Sequence, residues 1–273
     1  MHDSIILFFK VIIFILIMKS RLLFTLTLLC FLTGCSVFGV NKDTKNLVAD
    51  GLTPKELYEQ AEDKVVAGSI EQAIDQYELI LSSYPGSKYA IQARLDIAFN
   101  LLKQKKYNRS ITTLNQFIEK YPDIPATPYA YYLRGVAAEK KSSSILDKLI
   151  TDSAQRDVES VRDAYDYFIE LIEVFPNSKY AEDAKTKLAV LRNTLARHEF
   201  YVALYYTDIS SNIAAINRCK YVIENYPNST SIPDALHLMS YNYDIIGADE
   251  LAVDVRKVLN SSFPSYSPSY SLK

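Results

Sequence analysis

The chain has 273 residues, with 30 Lys and Arg against 32 Asp and Glu, a formal net charge of −2, 21 tyrosines and no tryptophan. Setting aside residues 1–34 leaves 27 basic and 31 acidic groups, a balance that offers no footing for nucleic acid or an anionic lipid as ligand. Three cysteines, two of them near the N-terminus, exclude a disulfide-built domain.

Residues 1–34 read as a lipoprotein signal peptide. Lys19 and Arg21 precede an apolar run from Leu22 to Leu32, and Leu32-Thr33-Gly34-Cys35 ends it on a cysteine flanked by small residues. Cleavage before Cys35 and acylation of that residue are expected, and Ser36, in place of an aspartate, favours the periplasmic face of the outer membrane. Ile5 to Ile17 is a second apolar run broken by Lys10, after which Met18 restarts an ordinary leader. Translation is therefore expected to begin at Met18, and Lys19-Ser20-Arg21 argues against one continuous membrane span. Cys30 leaves with the leader, Cys35 is consumed by lipid, and Cys219 remains as a small apolar core residue. Residues 35–52 form the lipidated linker.

From 53 to 264 an aromatic residue is followed by proline five times, at Tyr84-Pro85, Tyr121-Pro122, Phe175-Pro176, Tyr226-Pro227 and Phe263-Pro264. Proline cannot continue a helix and disfavours helical geometry in the residue before it, so each pair reads as a stop with a packing anchor. Twelve residues before each proline stands Ala73, Ser110, Ala164, Ala215 or Ala252. A further twelve upstream, in four of the units, stands Ala61, Ala98, Ala203 or Ser240. The unit is 37 residues. Two longer intervals then resolve into insertions: 17 residues between Gly135 and Ala164, and 14 between Pro176 and Ala203. The first holds Ser142-Ser143-Ser144 and Asp152-Ser153 and reads as loop. The second is about four helical turns, and with no Pro or Gly from Ser178 to Tyr206 it permits one helix of roughly 40 Å.

In the first unit Leu57, Ala61, Val65, Ala73, Ile74, Tyr77, Ile80 and Leu81 recur at helical spacing. This is the tetratricopeptide pattern, with its aromatic slot taken by Leu114, Cys219 or Arg256 elsewhere. The expected fold is all-α: a right-handed superhelix of five tetratricopeptide-like helix pairs, an inserted loop in repeat 3, a lengthened first helix in repeat 4, and a flexible tail over 265–273.

Chemistry is sparse. His198 and His237 have no cysteine at metal-ligand spacing, and His198-Glu199 lacks the second histidine of a zinc motif because Val202 stands there. No phosphate loop, nucleophile elbow or CxxC occurs, and Glu182-Asp183 beside Lys179, Lys185 and Lys187 reads as a solvated helix face. No enzyme, metal or cofactor is expected. The tyrosine clusters Tyr129-Tyr131-Tyr132 and Tyr201-Tyr205-Tyr206 read as packing, with some rings available to a groove for extended peptides.

Several stretches are more specific. Tyr84-Pro85-Gly86-Ser87-Lys88-Tyr89 with Gln92-Ala93-Arg94-Leu95-Asp96, then Tyr129 to Gly135, Gln155-Arg156-Asp157, Phe175 to Ala181, and Leu195-Ala196-Arg197 leading to Tyr205-Tyr206 resemble the BamD (ComL, YfiO) family of outer-membrane assembly lipoproteins. The two insertions fit that family as well. The resemblance implies a non-enzymatic scaffold of the β-barrel assembly machine, anchored through Cys35. It would bind the barrel-forming subunit and unfolded outer-membrane protein precursors, with other assembly lipoproteins as further partners. By motif match, Asn217-Arg218 corresponds to a family arginine tied to communication with the barrel subunit, and Tyr89, Gln92 and Arg94 fall where the precursor groove is expected. A pilotin-like or cell-wall-coordinating repeat lipoprotein is the alternative, against which the family-type insertion counts.

Overall fold

The structure is a computed structural model that describes residues 51–142, 158–268 and 270–272. The leader, Cys35, most of the linker and the insert of repeat 3 lie outside the described residues. Every regular element among those described is an α-helix: α1 Pro54–Val66, α2 Ile70–Ser83, α3 Lys88–Lys103, α4 Tyr107–Lys120, α5 Thr127–Ser142, α6 Val158–Val174, α7 Ala181–Asp208, α8 Asn212–Asn225, α9 Ile232–Ile245 and α10 Asp249–Ser262. The fold is all-α and of tetratricopeptide type, and each helix packs on the one before and the one after it.

Local chemistry explains the boundaries. Thr53 opens α1 with a capping box, its hydroxyl accepting from Glu56 N at 3.3 Å while its own N–H donates to Glu56 Oε2 at 2.8 Å. Pro54 takes the first helical position, where a missing N–H costs nothing. Ser87 caps α3 by accepting from Ala90 N at 3.1 Å. The aromatic-proline pairs close the second helices in one recurring geometry. Tyr84, Tyr121, Tyr226 and Phe263 all lie at φ between −134° and −124° and ψ between 53° and 64°. Each N–H, and that of Phe175, still reaches the carbonyl four residues back. The proline that follows makes continued helix sterically unfavourable.

The turn inside each pair follows a second rule. Gly68, Lys105, Ser210 and Gly247 have φ of 78°, 61°, 60° and 72°. The next N–H bonds back to the carbonyl five residues earlier, as in Ser69 to Lys64, Lys106 to Leu101, Ser211 to Tyr206 and Ala248 to Tyr243. This is the Schellman closure, which satisfies carbonyls that a helix end leaves without partners. Ser142, one 37-residue unit after Lys105, is still helical and is the last described residue of α5.

The small residues do the packing expected of them. Ala61, Ala73, Ala98, Ala203, Ala215 and Ala252 are fully buried, and the Ser110 hydroxyl donates to Ala98 O at 2.7 Å across the second pair. In the third pair the absent side chain of Gly135 makes room for the Phe168 ring. Cys219 is buried in the same core, and burial pushes its thiol up to about 12. The long first helix of the fourth unit is continuous over 28 residues, about 42 Å. Between neighbouring pairs each second helix packs on the next first helix, and first helices also touch one another, α1 with α3, α3 with α5 and α7 with α9. The side on which these first helices meet one another is termed the inner face.

The tail after Pro264, expected to be flexible, folds back on α7 and α9 through Tyr266 and Tyr270.

Candidate functional site: an aromatic inner face and a buried carboxylate

The inner face begins at Tyr58 of α1, whose ring lies 5.5 Å from Tyr77 and 5.6 Å from Tyr89. Its hydroxyl donates to Asp96 Oδ2 at 2.6 Å, and Gln92 Nε2 donates to Asp96 Oδ1 at 3.2 Å. Burial raises the Asp96 carboxyl above its ordinary value in spite of both donors. Further along, Tyr132 stacks on Tyr180 with centroids 5.2 Å apart and planes 22° from parallel, and Tyr129 lies 5.4 Å from Tyr180. Tyr132 donates to Asp183 at 2.7 Å and Lys187 to Glu139 at 2.8 Å, which ties α5 to α7.

Two pockets open here and share Tyr129. One of about 490 Å³ lies between α3 and α5, walled by Phe99, Leu102, Tyr107, Tyr132 and Val136 and rimmed by Lys103, Lys105 and Lys140. The other, of about 370 Å³, is bounded by Gln92, Leu95, Pro125, Lys179 and Tyr180. In both of the twin motifs Ser87-Lys88-Tyr89 and Ser178-Lys179-Tyr180 the lysine ammonium lies over the ring of the tyrosine that follows it. Lys88 lies 5.2 Å from the centroid of Tyr89, and Lys179 lies 5.1 Å from that of Tyr180. Aromatic walls with ammonium rims suit an extended polypeptide bearing apolar and acidic groups.

Tyr89 and Gln92 thus lie on this face. Arg94 does not: two residues after Gln92 it is turned by about 200°, and its Nη1 reaches Gln116 of α4 at 3.5 Å.

Arg218 belongs to a separate cluster. It projects from α8 and donates to Glu199 Oε2 of α7 at 2.9 Å, while Arg162 of α6 approaches Glu199 Oε1 at 3.7 Å. Glu199 is 5% exposed, and both arginine side chains are 43% exposed. Arg162 also donates to the Tyr221 hydroxyl at 3.4 Å, which raises its pKa further. Asn217 is exposed and one step around the helix. Sequence reading missed Arg162 and the burial of Glu199. The signal was present, since Leu195, Glu199 and Ala203 are spaced by four on a buried stripe, and a carboxylate there requires a cation. No cluster of metal-ligating groups occurs among the described residues, and no helix among them is long and apolar enough to cross a membrane.

Residues 50–259 match the model of the YfiO family, described as an outer membrane lipoprotein. The chain belongs to this family. Among similar proteins, the outer membrane protein assembly factor BamD of Neisseria meningitidis serogroup A is 33% identical, over 90% of this chain and 92% of its own length. The BamD of Xylella fastidiosa strain Temecula1 is 31% identical over 86% of this chain and 79% of its own. That of Haemophilus influenzae is 29% identical over 89% and 91%. Among the described residues the matched range takes in nine of the ten helices whole and most of α10, so the inner face and the Glu199 cluster both lie inside it.

Proposed function

We propose that this chain is a scaffold subunit of the machinery that assembles β-barrel proteins into the outer membrane, held on the periplasmic face by acyl chains on Cys35. The inner face of α1, α3 and α5 receives unfolded outer-membrane protein precursors. The Arg218 surface, with Asn217 beside it, docks the barrel-forming subunit. No catalysis or cofactor enters this role.

The observation that supports it most is the similarity to BamD assembly factors along nearly the whole helical array. Two features of the geometry support the same reading. Two half-exposed guanidinium groups share the buried Glu199 carboxylate, with Asp166 also near Arg162, and their outward N–H groups suit an acidic group on a partner. The aromatic pockets, in turn, offer rings for apolar side chains and lysines for acidic ones. Detergent extraction followed by affinity purification tests the proposal. The barrel-forming subunit should co-purify, and its reproducible absence would overturn the reading.

A further inference from the structure

Past Pro264 the chain leaves helical geometry and turns back along the last two pairs. Tyr266 and Tyr270 are half-buried, whereas Ser265, Ser267, Pro268 and Ser271 are exposed. The Tyr266 hydroxyl donates to Asp234 Oδ1 at 2.6 Å. One helical turn on, His237 Nδ1 lies 2.8 Å from the Tyr270 hydroxyl. The Tyr270 ring meets Phe200 of α7 edge-on at 5.0 Å, and the His237 ring lies 5.8 Å from both tyrosine rings. Beside them a pocket of about 300 Å³ is bounded by Arg197, Tyr201, Ser231 and Asp234.

We propose that the face shared by α7 and α9 is a binding site for an extended peptide carrying two tyrosines four residues apart, and that the chain's own tail is its resident, displaceable occupant. Three observations carry this. First, the tail is attached to α7 and α9 through the side chains of Tyr266 and Tyr270, with Leu272 packed on the same core, so another segment with the same two tyrosines satisfies the same polar partners. Second, the site favours tyrosine over phenylalanine, because Asp234 and His237 each meet a phenolic hydroxyl and an occupant without it forfeits both hydrogen bonds. Third, the tail follows directly from α10, which ends at Ser262. So short a tether holds an occupant at roughly millimolar effective concentration, which keeps the site closed until a competitor exceeds it. This face is neither the precursor face nor the Arg218 surface, so its failure leaves the proposed function standing.

The test uses the full chain in detergent and a fluorescent peptide of residues 264–273, followed by anisotropy. The variant Tyr266→Ser/Tyr270→Ser, with its helical circular dichroism unchanged, should bind the peptide at least ~10-fold more tightly than the native chain does. A peptide with both tyrosines replaced by phenylalanine should bind that variant at least ~10-fold more weakly. Equal affinity of variant and native chain, equal affinity for the two peptides, or no saturation of the variant below about 1 mM overturns the proposal. Where the variant does not fold, the native chain labelled with 3-fluorotyrosine decides the matter. Excess unlabelled peptide should move the Tyr270 fluorine resonance to its free-peptide position, and a resonance that stays put overturns the proposal equally.

Discussion

Glu199 and Arg218 form an ion pair of 2.9 Å in which the acid is buried and the base half-exposed. Arg162 takes the other carboxylate oxygen, so the acid keeps a cation when Arg218 is lost. Arg218→Gln should therefore cost about 1 kcal/mol, well below the 3–5 kcal/mol of breaking a fully buried pair. Arg218→Glu sets a second carboxylate against Glu199 and should cost more, about 2–3 kcal/mol. Urea unfolding ranks the two. With Arg218→Gln shown by urea unfolding to stay folded, loss of co-purification with the barrel-forming subunit in that variant reports docking and not stability. Undiminished co-purification removes Arg218 from the docking surface.

Gly135 faces Phe168 so closely that a Cβ would stand 2.5 Å from the ring. Gly135→Ala should destabilise by about 1–3 kcal/mol through overpacking. Phe168→Leu in the same chain should recover part of the loss, and strictly additive costs in a double-mutant cycle would contradict this contact as the cause.

Lys105 and Ser210 occupy left-handed positions that Gly68 and Gly247 fill in the first and last pairs. Lys105→Gly and Ser210→Gly should each stabilise by about 0.5–1 kcal/mol, because relief of the Cβ penalty outweighs the entropy of glycine. A lower urea midpoint in both variants would count against the Schellman account.

His237 is held below its ordinary pKa by burial, which outweighs the opposing pull of Asp234. The unfolded chain therefore binds this proton more readily than the folded one does. The contribution is complete above the unfolded pKa near 6.5 and is lost as pH falls below it, down to the folded pKa. Replacing His237 with Gln should flatten the stability profile between about pH 7 and pH 5, read as the difference between variant and native melting temperatures. Parallel profiles would rule the histidine out.

A photo-crosslinking residue at Gln92 or Tyr132 should capture an unfolded outer-membrane protein precursor, whereas one at Arg94 should not. Equal capture at Arg94 would mean that the precursor lies on a different surface.

Residues that speak through spacing were readable in advance. The aromatic-proline pairs and the small residues twelve positions upstream each repeat a local steric requirement, so counting finds the helices, their stops and the long α7. Gln92 and Arg94 show where motif reading stops short: neighbours in sequence, they leave α3 on different faces. The left-handed turns escaped notice because lysine and serine, not glycine, fill two of them. The Glu199 cluster joins three helices at separations that no period encodes, although the phase of Glu199 alone announced a buried charge. The tail looked unstructured because Ser and Pro dominate it, and its partners lie more than thirty residues upstream.

The long helix α7 belongs to both surfaces. Near its start Asp183 and Lys187 bind α5, and near its end Glu199 meets Arg218 and Phe200 meets the tail. Asp183 and Glu199 are separated by about 24 Å of helix rise, with no proline or glycine to hinge it. Such a helix carries no proline or glycine kink, so a displacement at one end is passed along it toward the other. A partner seated at Arg218 would therefore set the tilt at which Tyr132 and Tyr180 meet an incoming chain.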